Sequence, residues 1–497
     1  MDTNFWTPQL ILNTFVAVTG GFQYGYHLSE LNSPQQAISC QVPPPAGSSP
    51  SWFENHGFKQ CIPLSDSYIG LVTSLYPIGG LVGSGVASFI SDRYGRKNVN
   101  LINAIMFFIG SILETFANEK SQLCIGRFIS GIAAGCTLVN SPLMLNEIAY
   151  DEIKGMMGTM NQVFTNTGIL FTQFIAIWLA NGRQWRYILL TGACVAAFNI
   201  LVSFLAVETP KWLIKNNQPE LAERHLTYLR PKKRFSASDI KGEINEWIVE
   251  IGSIENSTSN VSPDEPAEAP VNKSIPLWKY ITSSEYNKSK MVATIILAAQ
   301  QLSGIPAIFF YGNSIVSTVL PQYSVLLNCM LSLTNIVFTM VAGLLIDRVG
   351  RKVLLMASNI FMFVSAVLMA VGIVKNIMVL AVVMVFLFVS FFAIGMGPIP
   401  FLIVAEVTQL NATTAAQSYG TAMNWIVTVV IGYVFPIVKS AIGGYVFLIF
   451  AGFLAITIVL VGLLFPETKG KRTYNEVWSI HEDSESLTHG PISINDD

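Results

Sequence analysis

The chain has 497 residues, 52% of them hydrophobic and 12% charged, with a net charge of −2. A soluble chain carries roughly 25% charged residues, so there are too few charges here to cover several soluble domains. The near-neutral balance also leaves no electrostatic footprint for nucleic acid. A helix crosses about 30 Å of hydrocarbon with about 20 mostly apolar residues. Twelve such runs occur, at 8–28, 67–90, 98–117, 122–146, 156–180, 186–207, 291–319, 324–346, 353–374, 377–408, 415–438 and 443–465. The runs are solidly apolar, which predicts helices with internally closed backbone bonds rather than the short alternating strands of a barrel. The long runs 291–319 and 377–408 must tilt or break.

Orientation follows from Lys and Arg. The loops 91–97, 147–155, 208–290 and 347–352, with the tail from 466, hold 22 of the 29 basic residues, so both termini are expected in the cytosol. No basic stretch precedes the first run and no small-residue cleavage site follows it, so it is read as retained. The expected organisation is a six-span half over 1–207, a cytosolic linker over 208–290, a second six-span half over 291–465 and a cytosolic tail over 466–497. Residues 29–66 form a non-cytosolic loop holding Cys40 and Cys61, two of the six cysteines. A disulfide or two free thiols fit that setting. The Ser/Pro/Glu-rich stretch near 252–270 reads as flexible.

The loop after span two reads Asp92-Arg93-Tyr94-Gly95-Arg96-Lys97, and the loop after span eight reads Asp347-Arg348-Val349-Gly350-Arg351-Lys352. A stop-transfer cluster needs no Asp and no repeat. Two matching halves of six spans are an architecture for alternating access around a midplane site. With Gly126-Arg127-Phe128, Glu208-Thr209-Pro210, Gln300-Gln301-Leu302-Ser303-Gly304, Gly397-Pro398-Ile399-Pro400 and Pro466-Glu467-Thr468, the chain resembles the sugar-porter family of the major facilitator superfamily. The resemblance spans nearly the whole length. Gln23-Tyr24-Gly25-Tyr26-His27 and Tyr474 with Glu476-Val477-Trp478 look most like a fungal branch associated with the vacuole. The resemblance implies an all-α membrane fold of twelve helices in two pseudo-symmetric six-helix bundles. It also implies a cytosolic charge network of Asp92, Arg93, Arg96, Glu147, Lys154, Glu208, Asp347, Arg348, Arg351, Glu406 and Glu467.

Buried polar side chains inside a membrane are functional candidates by default. Gln162 and Gln173 lie 11 residues apart, about three helical turns, and so share one face. Gln300 and Gln301 open span seven, Asn335 lies in span eight with Thr339 one turn on, and Asn424-Trp425 occupies span eleven. Amides present both donors and an acceptor to hydroxyls without adding charge; the plain alternative is interhelical glue. These residues match the family's sugar contacts, and Phe401 stands where the family carries Trp. Gly304, Pro306, Gly395, Gly397, Pro398 and Pro400 are expected to break spans seven and ten.

Departures from the family pattern are Pro306, Ala393, Phe401 and Thr428, which remove hydrogen-bonding groups from the second half of the pocket. Thr413 replaces an expected Arg, so Glu406 must find another partner and the second latch is expected to be weaker; Lys154 is expected near Glu147. Proton-coupled members carry Asp where this chain has His27, a residue that can change charge near neutrality, either as a proton site or as a neutral hydrogen-bonding group. The expected activity is transport of a hexose or related small polyhydroxy solute, as a uniporter or with protons. The alternatives are a non-transporting sensor or sorting factor, or a carrier of a non-sugar solute. No cofactor, metal site or enzyme motif is read, since there is no Walker A and no Gly-x-Ser-x-Gly. The expected surroundings are a lipid bilayer, that of the vacuole first and the plasma membrane second.

Overall fold

The computed structural model describes residues 6–41, 49–258, 275–308, 324–409, 411–471 and 474–478. The long helices are α1 (Pro8–Ser29), α2 (Asp66–Tyr94), α3 (Arg96–Thr115), α4 (Lys120–Ile148), α5 (Lys154–Leu179), α6 (Trp185–Ser203), α7 (Asn287–Leu302), α8 (Ser324–Val349), α9 (Arg351–Val374), α10 (Met378–Ile394, resuming as Ile399–Glu406), α11 (Thr413–Ile442) and α12 (Val446–Leu464). Among the described residues, eleven helices are long and apolar enough to cross a membrane. The exception, α1, carries Asn13, Thr14, Thr19, Gln23 and His27, and it buries all five inside the bundle instead of offering apolar side chains outward. Elsewhere the outward surface is apolar, as with Phe89 at 66% and Leu463 at 78% exposed.

The repeat in the sequence returns as a repeat in packing. In the first half α1 packs on α5, α2 and α3 on α4, and α3 on α6; in the second, α7 packs on α11, α8 and α9 on α10, and α9 on α12. The halves meet along two seams related in the same way, α5 against α8 and α2 against α11. Small residues set how closely helices approach. A Cβ on Gly25 would lie 1.9 Å from the carbonyl oxygen of Thr165, so α1 and α5 touch backbone to backbone. On α2, Gly79 and Gly83 stand in the same relation to Phe128 and Ile132 of α4, at 2.3 and 2.1 Å. Without a hydrophobic force between helices in lipid, such close packing supplies much of the association energy.

Both long apolar runs break. α7 ends at a turn through Ser303 and Gly304, where Gly304 has φ +93° and its missing Cβ leaves room for the ring of Phe450, 2.5 Å from where that atom would sit. Residues 305–308 resume as helix; the rest of the predicted run, 309–323, lies outside the described residues. α10 breaks at Gly395–Pro398, and the side chain of Ser358 on α9 bridges the gap, accepting from Met396 N at 3.2 Å and donating to Phe391 O at 2.7 Å.

At one end of the molecule Cys40 and Cys61 form a disulfide. The neighbouring loop is tied to the bundle by Trp185 Nε1, which donates to Gln60 O at 2.8 Å, and by Arg186, which donates to Lys59 O at 2.8 Å and Thr115 O at 2.7 Å. At the other end, carrying the two charged turns, helices Pro210–Lys215, Pro219–Leu229 and Ala237–Thr258 pack through Leu213, Leu226, Ile240, Ile244 and Trp247. The last helix runs to Thr258 and so covers the start of the stretch read as flexible, because its Ile240/Ile244/Trp247 face is amphipathic at helical spacing; residues 259–274 lie outside the described residues.

Gly25→Ala is expected to drive α1 off α5 and lower the melting temperature in detergent by several degrees, whereas Gly85→Ala, with nothing within 4 Å of the added atom, is expected to leave it unchanged. Equal melting curves for the two variants would mean that the α1–α5 contact carries no load.

Candidate functional site

Between the halves lies a small cleft lined by Pro142 and Asn146 of α4, Lys154, Gly158, Asn161 and Gln162 of α5, and Pro398, Phe401 and Leu402 at and after the break in α10. Gln162 Nε2 donates to Asn166 Oδ1 one turn along α5 at 3.3 Å. Asn166 Nδ2 in turn reaches across the seam to α8, donating to Asn335 Oδ1 at 2.9 Å and Thr339 Oγ1 at 3.3 Å. Farther along the same seam Ser332 Oγ donates to Gln173 Oε1 at 2.9 Å, outside the cleft.

The amides of the second half form their own cluster. Gln300 Nε2 donates to Met396 O at 2.8 Å and Gly397 O at 3.0 Å, capturing the carbonyls that the α10 break frees. Asn424 Nδ2 donates to Gln300 Oε1 at 2.8 Å, and Gln301 Nε2 donates to Asn424 Oδ1 at 2.9 Å. Pro398 and Phe401, which follow those carbonyls, line the cleft together with Gln162. Pro306 supplies no donor here, Ala393 is buried, and the Thr428 hydroxyl is spent on Asn424 O at 2.8 Å.

Trp425 crosses between the halves. Its indole lies edge-on to Tyr24 and Tyr76, with centroids 6.0 Å away in each case, and over Gly80 of α2, where a Cβ would come within 2.4 Å of the ring. Trp425 Nε1 is buried without a hydrogen-bond partner among the described residues. Asn335 Nδ2, Asn161 Oδ1, and Gln417 Oε1, Ser418 Oγ and Thr421 Oγ1 on α11 are also unpartnered. Of these atoms, Asn161 Oδ1 belongs to a residue that lines the cleft.

The two charged turns build near-identical networks. Arg96 pairs with Glu147 Oε1 at 2.8 Å and Asp92 Oδ1 at 3.2 Å; Arg351 pairs with Glu406 Oε1 at 3.1 Å and Asp347 Oδ1 at 3.1 Å. Glu208 accepts from the backbone N–H groups of Arg96 and Thr209, both at 2.9 Å, and Glu467 accepts from those of Arg351 at 2.9 Å and Thr468 at 3.0 Å. Burial nevertheless pushes the Glu208 carboxyl above the usual range. Thr209 Oγ1 donates to Glu147 at 2.5 Å, and Thr468 Oγ1 to Glu406 at 2.6 Å. Gly95 (φ +89°) and Gly350 (φ +106°) let each glutamate approach, since a Cβ would lie 2.2 and 2.7 Å from the respective carboxylate oxygens. Each turn also reaches the opposite half. Thr414 near the start of α11 donates to Asp92 at 3.1 Å and accepts from Arg96 at 3.2 Å, while Asp347 accepts from the Met156 N–H in the first turn of α5. A carboxylate is favoured at a helix N-terminus by charge and by free N–H groups.

Three expected members of this network lie elsewhere. Arg93 is exposed and lies against its neighbour Tyr94, and Arg348 is exposed, because both point outward from the turn rather than into it. Lys154 lines the cleft; the cations acting on Glu147 are Arg96 and Lys215. Glu406, left without the expected Arg by Thr413, takes Arg351 and Thr468.

His27 is fully buried, stacked on Phe107 at 4.8 Å, with Nδ1 2.9 Å from Glu30 Oε1. Arg127 NH1 holds the same oxygen at 2.6 Å, lies over the Tyr76 ring at 4.4 Å, and donates to His27 O at 2.9 Å. Glu114 of α3 completes the group, accepting from Ser130 at 3.1 Å. Sequence reasoning passed over Glu114, Asn161, Asn166 and Thr414. Glu114 was findable, as an acid within an apolar span; the others carry no signal apart from their neighbours in space.

Residues 13–478 match the family model for "Sugar (and other) transporter". A probable metabolite transport protein of Saccharomyces cerevisiae is 42% identical over 477 residues, covering 95% of this chain and 96% of the relative. Vacuolar protein sorting-associated protein 73 of the same yeast is 37% identical over 471 residues, covering 93% and 94%. Among solved structures, the proton:xylose symporter XylE bound to 6-bromo-6-deoxy-D-glucose superposes with a TM-score of 0.79 at 19% identity, over 95% of this chain and 99% of that one. With a family match over nearly its whole length and the paired bundles described above, the chain belongs to the sugar transporter family of the major facilitator superfamily and is a multi-pass membrane protein, not an enzyme.

Proposed function

We propose that the chain carries a hexose or related small polyhydroxy solute across its membrane by alternating access. One observation carries this reading: both halves line a cleft at the α10 break, with Asn146, Asn161 and Gln162 from the first and Pro398, Phe401 and Leu402 from the second, while Gln300 of the second amide cluster is anchored on the carbonyls of that break. Amide, indole and hydroxyl groups match a ring of hydroxyls without demanding an ionised ligand, and Phe401 offers an apolar face. The binding residues are Gln162, Gln300, Gln301, Asn335, Phe401, Asn424 and Trp425. Gln173, bonded to Ser332 away from the cleft, acts instead as an inter-half contact.

Gating follows from the charged turns. Asp92 with Thr414, and Asp347 with the start of α5, fasten each half to the other at what the basic residues mark as the cytosolic end. Opening toward the cytosol must break both contacts, and solute shifts the balance only by binding one state more tightly than the other. Arg96 makes two contacts to Glu147, from Nε at 3.0 Å and NH2 at 2.8 Å, where Arg351 makes one to Glu406, so the second latch is the weaker. The yeast relative named for vacuolar protein sorting supports a vacuolar address. It also supports a second reading, a sorting factor on the same fold, which the loss of polar groups at Pro306, Ala393 and Thr428 favours.

Counterflow of labelled sugars in proteoliposomes separates the two readings. Transport requires at least one sugar of a hexose and pentose panel to exchange, with Gln162→Ala and Asn335→Ala each raising its half-saturation about fivefold, the worth of one hydrogen bond of about 1 kcal/mol. A silent panel with normally folded protein overturns the sugar-transport reading.

Asp347→Asn removes the charge at the start of α5, worth up to about 1 kcal/mol. With the free cysteines Cys124, Cys136, Cys194 and Cys329 replaced by Ser, a Leu402→Cys reporter in the cleft is expected to be labelled from the cytosolic side several-fold faster in that variant. Unchanged labelling would remove Asp347 from the gate.

A further inference from the structure

One buried cluster in the N-terminal half holds two acids and a single strong base. At the disulfide end, Glu30 follows α1, Glu114 lies in the last turn of α3 and Arg127 in the second turn of α4; their side chains meet with none exposed beyond 3%. Glu30 Oε1 is held by Arg127 and His27, and Glu114 Oε1 by Ser130. Neither Oε2 has a hydrogen-bond partner among the described residues, and the two carboxyls lie near enough, around the one guanidinium, to act on each other's charge. With one of the two protonated, the pair carries a single negative charge. One guanidinium then faces one carboxylate, and the buried group is neutral. Losing that proton leaves an uncompensated charge in a fully buried site, at a cost of several kcal/mol.

We propose that Glu30 and Glu114 form a proton-binding pair that takes up and releases one proton during the transport cycle. The proton is held between the two carboxyls, with Arg127 as a fixed cation and His27 as a neutral positioning residue. The groups facing the pair are His27, Tyr24 and Tyr26 on α1, Tyr76 on α2, Ser111 on α3, and Arg127 and Ser130 on α4; Cys194 and Thr191 on α6 lie against Tyr26. Arg127 is the only strong base among them, and it is already engaged. His27 spends Nδ1 on Glu30, stacks flat on Phe107, and has Ser111 Oγ 3.5 Å from Nε2. Its ring therefore orients Glu30 without being needed as the proton carrier. On release the proton passes to water at whichever side the bundle has opened, leaving Glu30 and Glu114 both ionised around Arg127; uptake reverses the step.

Proton binding stands apart from the sugar reading, and only its coupling to solute movement rests on that reading. The test uses purified full-length protein at neutral pH and infrared detection of the carbonyl stretch of a protonated carboxyl, identified by its shift in heavy water. Wild type is expected to show this band. Glu30→Gln and Glu114→Gln are each expected to lose it, because the remaining carboxylate then pairs with Arg127 alone and ionises. Absence of the band in wild type overturns the proposal and places the proton on His27 or nowhere; persistence of the band in both variants overturns it as well. The wild-type spectrum decides the matter even if a variant fails to fold. In proteoliposomes with a trapped pH dye, solute-driven proton entry is expected in wild type and lost in Glu114→Gln. Sugar counterflow with no proton movement refutes the coupling and spares the transport reading. The infrared band without counterflow of any sugar refutes the transport reading and spares the proton pair.

Discussion

A polar group carried into hydrocarbon must find its partner inside the protein, and that constraint sorts the side chains of this molecule into three kinds. Some are fully paired and act as struts: Arg186 on the carbonyls of Lys59 and Thr115 fastens the disulfide loop, and Ser358 closes the gap in α10. Others are paired across the two halves, as Asn166 with Asn335 and Asp92 with Thr414, and these contacts must break if the halves are to rock. The third kind are buried with an atom left unpaired among the described residues, as Asn161 on α5, Asn335 on α8 and Trp425 on α11.

The α10 break shows how one local defect serves several ends. Gly395, Gly397 and the two prolines stop the helix, which frees carbonyls at Met396 and Gly397. Gln300 satisfies both, and in doing so is fixed in the geometry that lets Asn424 reach its oxygen and Gln301 reach Asn424. The displaced chain then brings Phe401 to the cleft. Replacing Gln300 would therefore disturb a backbone as well as a contact, which makes Gln162 and Asn335 the cleaner probes of solute binding.

Much of this was legible from residue order. The twelve runs, the breaks at Gly304 and Gly395–Pro400 and the paired turns each rest on local chemistry: apolar length, the conformational needs of glycine and proline, and a six-residue motif seen twice. Arg93 and Arg348 were misread because a motif does not say which of its side chains turn inward. Helical phase put Gln173 on the face of Gln162 but could not name its partner Ser332 across the α5–α8 seam, 159 residues away. Lys154 was paired with Glu147 by sequence proximity, whereas the first turn of α5 directs it into the cleft. Asn166 and Thr414 matter only through partners more than 160 residues distant, and no local pattern announces such contacts.

The symmetry of the charged turns makes the asymmetry of the interior informative. Glu114 lies 18 residues beyond Arg96, and the position 18 beyond Arg351 is Met369, buried in apolar packing. Arg127 lies 20 residues before Glu147, and the position 20 before Glu406 is Phe386, packed against the same core. The second half thus fills with hydrocarbon the places where the first half holds an ionisable pair and its counter-ion. Burying that charge is costly and adds nothing that Met and Phe do not already supply to the opposite bundle as packing. Its confinement to the half that carries α1, which buries Asn13, Gln23 and His27 inside the bundle, argues that the cluster answers to a step of the working cycle and not to the demands of the fold.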